Sequence, residues 1–119
     1  MQYMLLIYGD PNRQSTEAEM QGYFDFTKVV RQRGAFISGE PLHPITSATS
    51  IRTAGGSRGL VTDGPFAETH EVLGGFYILE CKDLDETIGY ARMINAIDDS
   101  TVEIRPVMDF AMEKVTPGG

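Results

Sequence analysis

Three acid–base side chains follow a turn in the middle of the chain. Glu68, His70 and Glu71 lie within four positions, just after an Asp-Gly-Pro turn at residues 63–65. Carboxylates and an imidazole can take up and release protons during a reaction. We therefore interpret Asp63, Glu68 and Glu71 as candidate catalytic residues, with His70 as a candidate contact to substrate.

Each of these residues also has a structural interpretation. Asp63 could bond the backbone of its own turn. Glu68 and Glu71 are three positions apart, so on a helical turn they would share a face and could form ion pairs. His70 could be a surface histidine without a role in the site. The residue types alone leave both interpretations open.

Other side chains are expected to wall a cleft between the sheet and the helices. Arg105, at the end of a predicted strand, could clamp a substrate carboxylate or pair with Glu68 or Glu71. The two histidines and the glutamates could ligate zinc or iron, but no spacing typical of a metal site links them. No glycine pattern typical of a nucleotide site occurs. We expect no metal and no cofactor, and the predicted substrate-binding residues are Tyr8, His43, Phe66, His70 and Arg105.

Composition narrows the class of protein. A chain of 119 residues is expected to form one domain, here residues 1–112, followed by a flexible tail at 113–119. The net charge of −7 and the scattered basic residues disfavour nucleic acid and anionic membranes as partners. Cys81 has no second cysteine to pair with, and the apolar run at 3–8 is too short for a membrane span and lacks a basic flank. We expect a cytoplasmic protein.

Hydrophobic periodicity predicts an α+β domain. Alternating or continuous apolar runs indicate strands, and apolar residues at helical spacing indicate two helices. The order is β-α-β, an inserted hairpin, then β-α-β, which is typical of a ferredoxin-like sheet with both helices on one face. The predicted strands are 3–8, 35–38, 48–53, 58–62, 75–81 and 101–105, with a glycine-rich hairpin turn at 54–57, and the helices run from Ser15 or Thr16 to Gly34 and from Asp83 onwards.

The helix ends and buried faces are also predicted. Thr16 with Glu19, and Asp83 with Glu86, have the spacing of capping boxes. Gly34 is expected to end the first helix, and Gly64 to take a φ that disfavours a β-carbon. The expected buried faces are Met20, Tyr23, Phe24, Phe26, Thr27 and Val30 on the first helix, and Ile88, Ala91, Met93, Ile94 and Ile97 on the second.

A sheet with both helices on one side leaves its other face without cover. Apolar residues that alternate along the strands would then meet water on that face. A second copy of the same sheet covers it most simply. We therefore expect a two-fold homodimer that binds an unknown small molecule.

Residues 63–77 resemble the signature of the DGPF family, a branch of the YCII-related proteins. That signature is Asp-Gly-Pro-Phe-Ala-Glu-Thr, a Glu two positions further, and Gly-Gly before an aromatic strand. Residues 3–8, 39–42 and 102–107 are also similar to the family. The resemblance implies a dimeric α+β barrel. It also implies relatives like muconolactone isomerases and dehydrochlorinases, and genes that lie beside sigma-factor genes.

The sequence departs from the family at two points. Typical members carry Lys where this chain has His70, so the resemblance implies no role for this histidine. Enzymes of the broader YCII group are proposed to use a His early in the first helix with an Asp, and no His occurs between Ser15 and Gly34.

Two functions follow from the sequence. The first is cofactor-free proton transfer, isomerisation or elimination on a small polar aromatic or lactone-like substrate. The alternative is a non-catalytic module that binds a ligand or a protein, linked to sigma-factor regulation.

Overall fold

Strands and helices follow one another in the order that the sequence predicts. A computed structural model describes residues 1–53, 55, 59–65 and 70–110, and the following elements are those of this part of the chain. They are β1 Gln2–Gly9, α1 Glu17–Gln32, β2 Phe36–Pro41, a short 3-10 helix Ile45–Ser47, β3 Thr49–Arg52, β4 Leu60–Asp63, β5 Val72–Glu80, α2 Leu84–Asp98 and β6 Thr101–Pro106.

The main sheet has four antiparallel strands in the order β2-β5-β1-β6. The first and last strands of each β-α-β unit are separated by a strand of the other unit, as in a ferredoxin-like fold. The predicted α+β class is thus confirmed. Strands β3 and β4 form a separate antiparallel hairpin, in which Ile51 lies opposite Val61.

The two faces of the main sheet differ in burial. Tyr3, Leu5 and Ile7 on β1 are buried against the helices, as are Tyr77 and Leu79 on β5. Alternate residues along a strand point to opposite faces, so their neighbours point away from the helices.

We call this second surface the open face. Met4, Leu6, Phe76 and Ile78 lie at its centre, are half-buried, and pair across β1 and β5. The shortest dimension of the molecule, 18 Å, is close to the thickness of one sheet plus one helix layer. Within the described residues, no second layer therefore covers the open face.

The N-terminus of α1 has the predicted capping box. Thr16 is the N-cap: its hydroxyl accepts from the Glu19 backbone N–H at 3.1 Å, and the Glu19 carboxylate accepts from the Thr16 N–H at 2.9 Å. Arg13 donates to the same carboxylate, and its hydrogen bond is the main cause that lowers the pKa of Glu19. The cap therefore also holds the loop that leads into the helix.

The C-terminus of α1 ends at Gly34, as predicted. Gly34 has φ +71°, and its N–H donates to the Arg31 carbonyl at 3.0 Å, while the Ala35 N–H donates to the Val30 carbonyl at 2.9 Å. These paired bonds form a Schellman motif, which satisfies the last carbonyls of the helix.

The predicted buried face of α1 is partly wrong. Phe26 and Val30 are buried and Tyr23 packs against the core, but Met20 is 49% exposed and Phe24 is 69% exposed. Successive helical residues are about 100° apart, so Phe24 lies well round the helix from Tyr23. A helix on a flat sheet buries a narrower stripe than the sequence pattern suggests.

Helix α2 also differs from the prediction. Thr87 and Tyr90 are buried although the apolar pattern did not single them out, while Met93 is 38% exposed. Asp83 caps the helix by accepting from the Glu86 N–H at 2.9 Å. The Glu86 carboxylate accepts instead from the Lys82 N–H at 3.3 Å, so the predicted reciprocal bond to the N-cap residue is replaced.

Two predicted strand limits are wrong because glycines permit close packing here. Strand β2 continues through Gly39 to Pro41, and β5 begins at Val72, three residues before the predicted start. A β-carbon on Gly39 would lie 2.6 Å from the Tyr77 ring, and one on Gly75 would lie 3.1 Å from the Glu40 carbonyl oxygen. Because these glycines have no β-carbon, β2 and β5 can approach each other closely.

Some predictions lie partly or wholly outside the described residues. The hairpin itself is confirmed, but of the predicted turn at 54–57 only Gly55 is described, with φ +61°. The tail at 113–119 is outside the description altogether.

Candidate functional site

A groove of about 600 Å³ opens at the end of the sheet where β1 stops and β5 starts. We call it the Tyr8 groove. Apolar side chains form most of its wall, and a few polar groups converge on it, which is typical of a small-molecule site. The apolar wall includes Leu42, Pro44, Ile45, Val72 and Leu73, and the polar groups belong to Tyr8, His43, Ser47 and Glu71.

A β-bulge shapes one wall of the groove. Ile7 pairs with Gly75 and Tyr8 with Leu73, so Gly74 is an extra residue in β5. The Gly74 carbonyl accepts from the Leu42 N–H at 2.9 Å. A bulge commonly redirects side chains at a strand end. Here its hydrogen bond holds the segment after β2 against the end of the sheet.

The base of the hairpin forms another part of the wall. The Gly64 N–H donates to the Ala48 carbonyl at 2.6 Å, and the Ser50 hydroxyl donates to the Gly64 carbonyl at 2.7 Å. Gly64 has φ +100°, as its position in the Asp-Gly-Pro turn predicts. Ala48 and Pro65, on either side of this junction, both line the groove.

Tyr8 joins the groove to β6. Its hydroxyl donates to Glu103 Oε1 at 3.1 Å. Desolvation, followed by the hydrogen bond and the charge of Glu103, raises the pKa of Tyr8. The phenol is therefore protonated at neutral pH and can act as a hydrogen-bond donor or a general acid.

Glu71 is the carboxylate of the groove. Its two oxygens lie 2.8 Å and 3.1 Å from the Thr101 hydroxyl, which donates to them. A carboxylate has about four acceptor sites, so one such group can accept from several donors. Glu71 can orient a ligand donor or accept a proton.

The structure brings together three of the predicted site residues: Tyr8, His43 and Glu71 all line the groove. Asp63 and His70 are exposed and do not belong to that lining. Phe66 and Glu68 lie outside the described residues.

Arg105 lies further along β6 and pairs with Met4 rather than with a groove residue. On β6, Glu71 contacts Thr101.

The position of the groove differs from the predicted cleft between sheet and helices. That layer is filled by the core residues Tyr3, Leu5 and Ile7, and Tyr8 points to the opposite, open face. Sequence reasoning also missed Glu103 and Thr101. The alternation of β6 could have found both, since they share a face with Arg105.

A second groove, of about 420 Å³, lies near the far end of the sheet beside α2. Arg33, Glu80 and Glu86 on its rim are surface charges, and the Arg33 guanidinium lies 5.7 Å from the centre of the Tyr90 ring. It contains none of the predicted site residues, so the Tyr8 groove is the better candidate.

Two absences hold for the part of the chain that the structure describes. There, no three side chains of His, Cys, Asp or Glu type come together as metal ligands. No helix in those ranges is long and apolar enough to cross a membrane.

Comparison with known proteins agrees with this architecture. The family model described as the YCII-related domain matches residues 1–111. An uncharacterised protein of Rhizobium meliloti (strain 1021), R00369, is 36% identical over 115 residues, which cover 90% of this chain and 92% of that protein.

Proposed function

The chain belongs to the YCII-related domain family, and from that premise we propose that it is a small-molecule enzyme whose site is the Tyr8 groove. One observation carries the proposal: a phenol, an imidazole and a carboxylate meet in a wall that is otherwise mainly apolar. Such a site can hold a small organic molecule and move protons on it. The reaction proposed is cofactor-free proton transfer on a small polar aromatic or lactone-like substrate.

Glu71 and Tyr8 are suited to complementary steps. The Glu71 carboxylate would take a proton from a carbon next to a carbonyl, and the electron pair of that C–H bond would move towards the carbonyl oxygen. The Tyr8 hydroxyl would turn its single hydrogen from Glu103 to that oxygen and stabilise it by a hydrogen bond. Return of the proton to another carbon completes an isomerisation, and loss of a leaving group completes an elimination.

The remaining predicted residues take secondary places in this proposal. His43 would contact the substrate from the groove wall. Asp63 and Glu68 flank the segment of Pro65 in sequence and remain proposed proton-transfer groups. We likewise keep Phe66, His70 and Arg105 as proposed substrate contacts.

The proposal includes a homodimer formed through the open face. Met4, Leu6, Phe76 and Ile78 form its apolar centre, and exposed charged residues of the flanking strands β2 and β6 surround that centre. An apolar centre with a polar rim is typical of protein interfaces. We further propose, from the signature at 63–77, membership of the DGPF branch, and from the single cysteine, a cytoplasmic location.

A non-catalytic binding module is the second candidate, and a specific observation favours it. Tyr8 is bonded to Glu103 and Glu71 to Thr101, so these two polar groups of the groove already have partners within the protein. Side chains tied in this way can act as a structural clasp. In that case the groove would bind a ligand or a partner protein without catalysing a reaction on it. The proposed role of this binding is in sigma-factor regulation.

Hydrogen exchange into solvent separates the two candidates. The protein is incubated in D₂O with a panel of small aromatic and lactone compounds, and deuterium at activated C–H positions is followed by proton NMR. We expect exchange in at least one compound, and a loss of about a hundredfold in Glu71→Gln. Glu80→Gln serves as the control. It is the same change on β5, beside the other end of β1. Binding without exchange would favour the module.

A further inference from the structure

Among the residues that the structure describes, the charges around the Tyr8 groove are mainly negative. Glu71 lines it, and Glu103 lies directly behind the Tyr8 hydroxyl at 3.1 Å. The opposing groups are His43, which lines the groove, and Arg105 on β6.

Of the two charged residues on β6, Arg105 lies farther from Tyr8 than Glu103 does. In the pairing of β1 with β6, Tyr8 lies opposite Thr101, Leu6 opposite Glu103, and Met4 opposite Arg105. Two residues along a strand span about 7 Å, so Arg105 lies roughly 13 Å along the sheet from the level of Tyr8. Burial is the main cause that raises the pKa of Tyr8; the hydrogen bond and the charge of Glu103 raise it further, and the charge of Arg105 lowers it.

The groove wall adds two features that suit a particular ligand. Leu42, Ile45 and Leu73 offer apolar surface for the body of a small molecule. The Tyr8 ring offers an aromatic surface, which attracts a cation in addition to any carboxylate nearby. The net charge of the chain, −7, would also favour the approach of cations over anions.

We infer that the occupant of the Tyr8 groove is a small molecule with an apolar or aromatic body and a protonated amine, rather than a carboxylate or another anion. The ammonium group lies beside Glu71 and the Tyr8 ring, and the body lies along Leu42, Ile45 and Leu73. This inference rests on the proposed function and narrows it, because among polar aromatic molecules it selects amines.

Three ligands of similar size and different charge test the inference. They are 2-phenylethylamine, 2-phenylethanol and 3-phenylpropanoate, each titrated into the ¹⁵N-labelled full chain at neutral pH. Binding is followed at the backbone amides of Leu42, Val72 and Leu73. We expect the amine to bind about tenfold more tightly than the alcohol, and the propanoate to bind more weakly than the alcohol.

Matched variants identify the source of the preference. Glu71→Gln is expected to reduce the ratio of amine affinity to alcohol affinity to about one. Glu80→Gln, which lies about 20 Å along β1 from the groove, is expected to leave this ratio unchanged. Glu103→Gln is expected to lower the ratio by a smaller factor, and it provides a second test if Glu71→Gln folds poorly.

The outcomes separate this inference from the proposed function. If the propanoate shifts the groove amides as strongly as the amine, the amine inference is overturned and the groove remains a ligand site. If the amine still binds more tightly than the alcohol by the same factor in both Glu71→Gln and Glu103→Gln, the inference is likewise overturned. If none of the three ligands shifts these amides at millimolar concentration, both the inference and the proposed site are overturned.

Discussion

At the scale of single residues, two side chains of the groove depend on β6. Tyr8 donates to Glu103, and Glu71 accepts from Thr101. Both partners lie on the face of β6 that points away from the helices, so one strand orients the phenol and the carboxylate together. Side chains oriented from a strand are held more precisely than those on a loop.

Gly64 permits the first residue-scale prediction. Its φ of +100° lies where side chains with a β-carbon are strained, although an added β-carbon would meet no atom within 4 Å. Gly64→Ala should therefore lower the free energy of unfolding by about 1–2 kcal/mol through the backbone alone. Chemical denaturation measures this loss.

Gly9→Ala is the matched control for Gly64→Ala. Gly9 also has open space around its β-carbon position but has no positive φ. We expect its stability to change by less than about 0.5 kcal/mol. Equal effects of the two substitutions would contradict the role assigned to the Gly64 backbone.

At the scale of elements, one tyrosine connects a helix to the sheet and another connects the two helices. The Tyr77 hydroxyl on β5 shares a hydrogen bond of 2.8 Å with the Thr27 hydroxyl on α1. The Tyr23 hydroxyl on α1 donates to the Asp98 carboxylate at the end of α2, at 2.9 Å. The Phe26 ring meets the Tyr77 ring edge-on at 5.1 Å, so apolar packing and hydrogen bonds hold the same layer.

These tyrosines predict how stability depends on alkaline pH. Burial is the main cause that raises the pKa of both Tyr23 and Tyr77 above the ordinary value of 10.0. A raised pKa means that the folded protein holds the phenolic proton more tightly than the unfolded chain. The stabilisation is complete below pH 10 and is lost as the pH rises through the raised pKa.

Thermal unfolding at a series of pH values tests this dependence. The melting temperature of the protein should fall as the pH rises above about 10, and the fall should be smaller in the double variant Tyr23→Phe/Tyr77→Phe. Tyr3→Phe, on the neighbouring strand β1, is the control for removing a tyrosine hydroxyl. A double variant with the full alkaline fall would show that other groups control it.

At the scale of the whole molecule, the main sheet is covered by helices on one side only within the described residues. The hairpin adds a second uncovered apolar pair, Ile51 at 68% and Val61 at 60% exposure. A two-stranded hairpin is marginal by itself in water, and an uncovered apolar sheet face is uncommon in a monomer.

The open face therefore leads to a prediction about assembly. The chain should sediment as a dimer at micromolar concentration, with a buried surface of at least about 1,200 Å². Ile78→Lys, at the centre of the open face, should give a folded monomer because it places a charge in the interface. A protein that sediments strictly as a monomer would overturn the dimer.

Ile51→Lys on the hairpin is the control for this test. The change is chemically the same, but Ile51 lies on the β3–β4 sheet rather than on the open face. We expect Ile51→Lys to remain dimeric. Circular dichroism of both variants separates dissociation from unfolding.

Local rules were sufficient for much of the fold. The Thr16 cap, the Gly34 end of α1 and the positive φ of Gly64 each depend on residues within a few positions of one another, so the sequence predicts them. The apolar spacing along α1 could not predict the width of its buried stripe, because that width depends on the surface against which the helix packs.

The site depended on tertiary structure. Tyr8, His43 and Glu71 are remote in sequence, and the bulge at Gly74, with its bond to Leu42, brings their segments together. The sequence alone singled out these three residues as able to do chemistry, because that ability belongs to the side chain. Only the tertiary structure placed them on the sheet face away from the helices and gave them Glu103 and Thr101 as partners, because strand pairing and the bulge decide which distant residues meet.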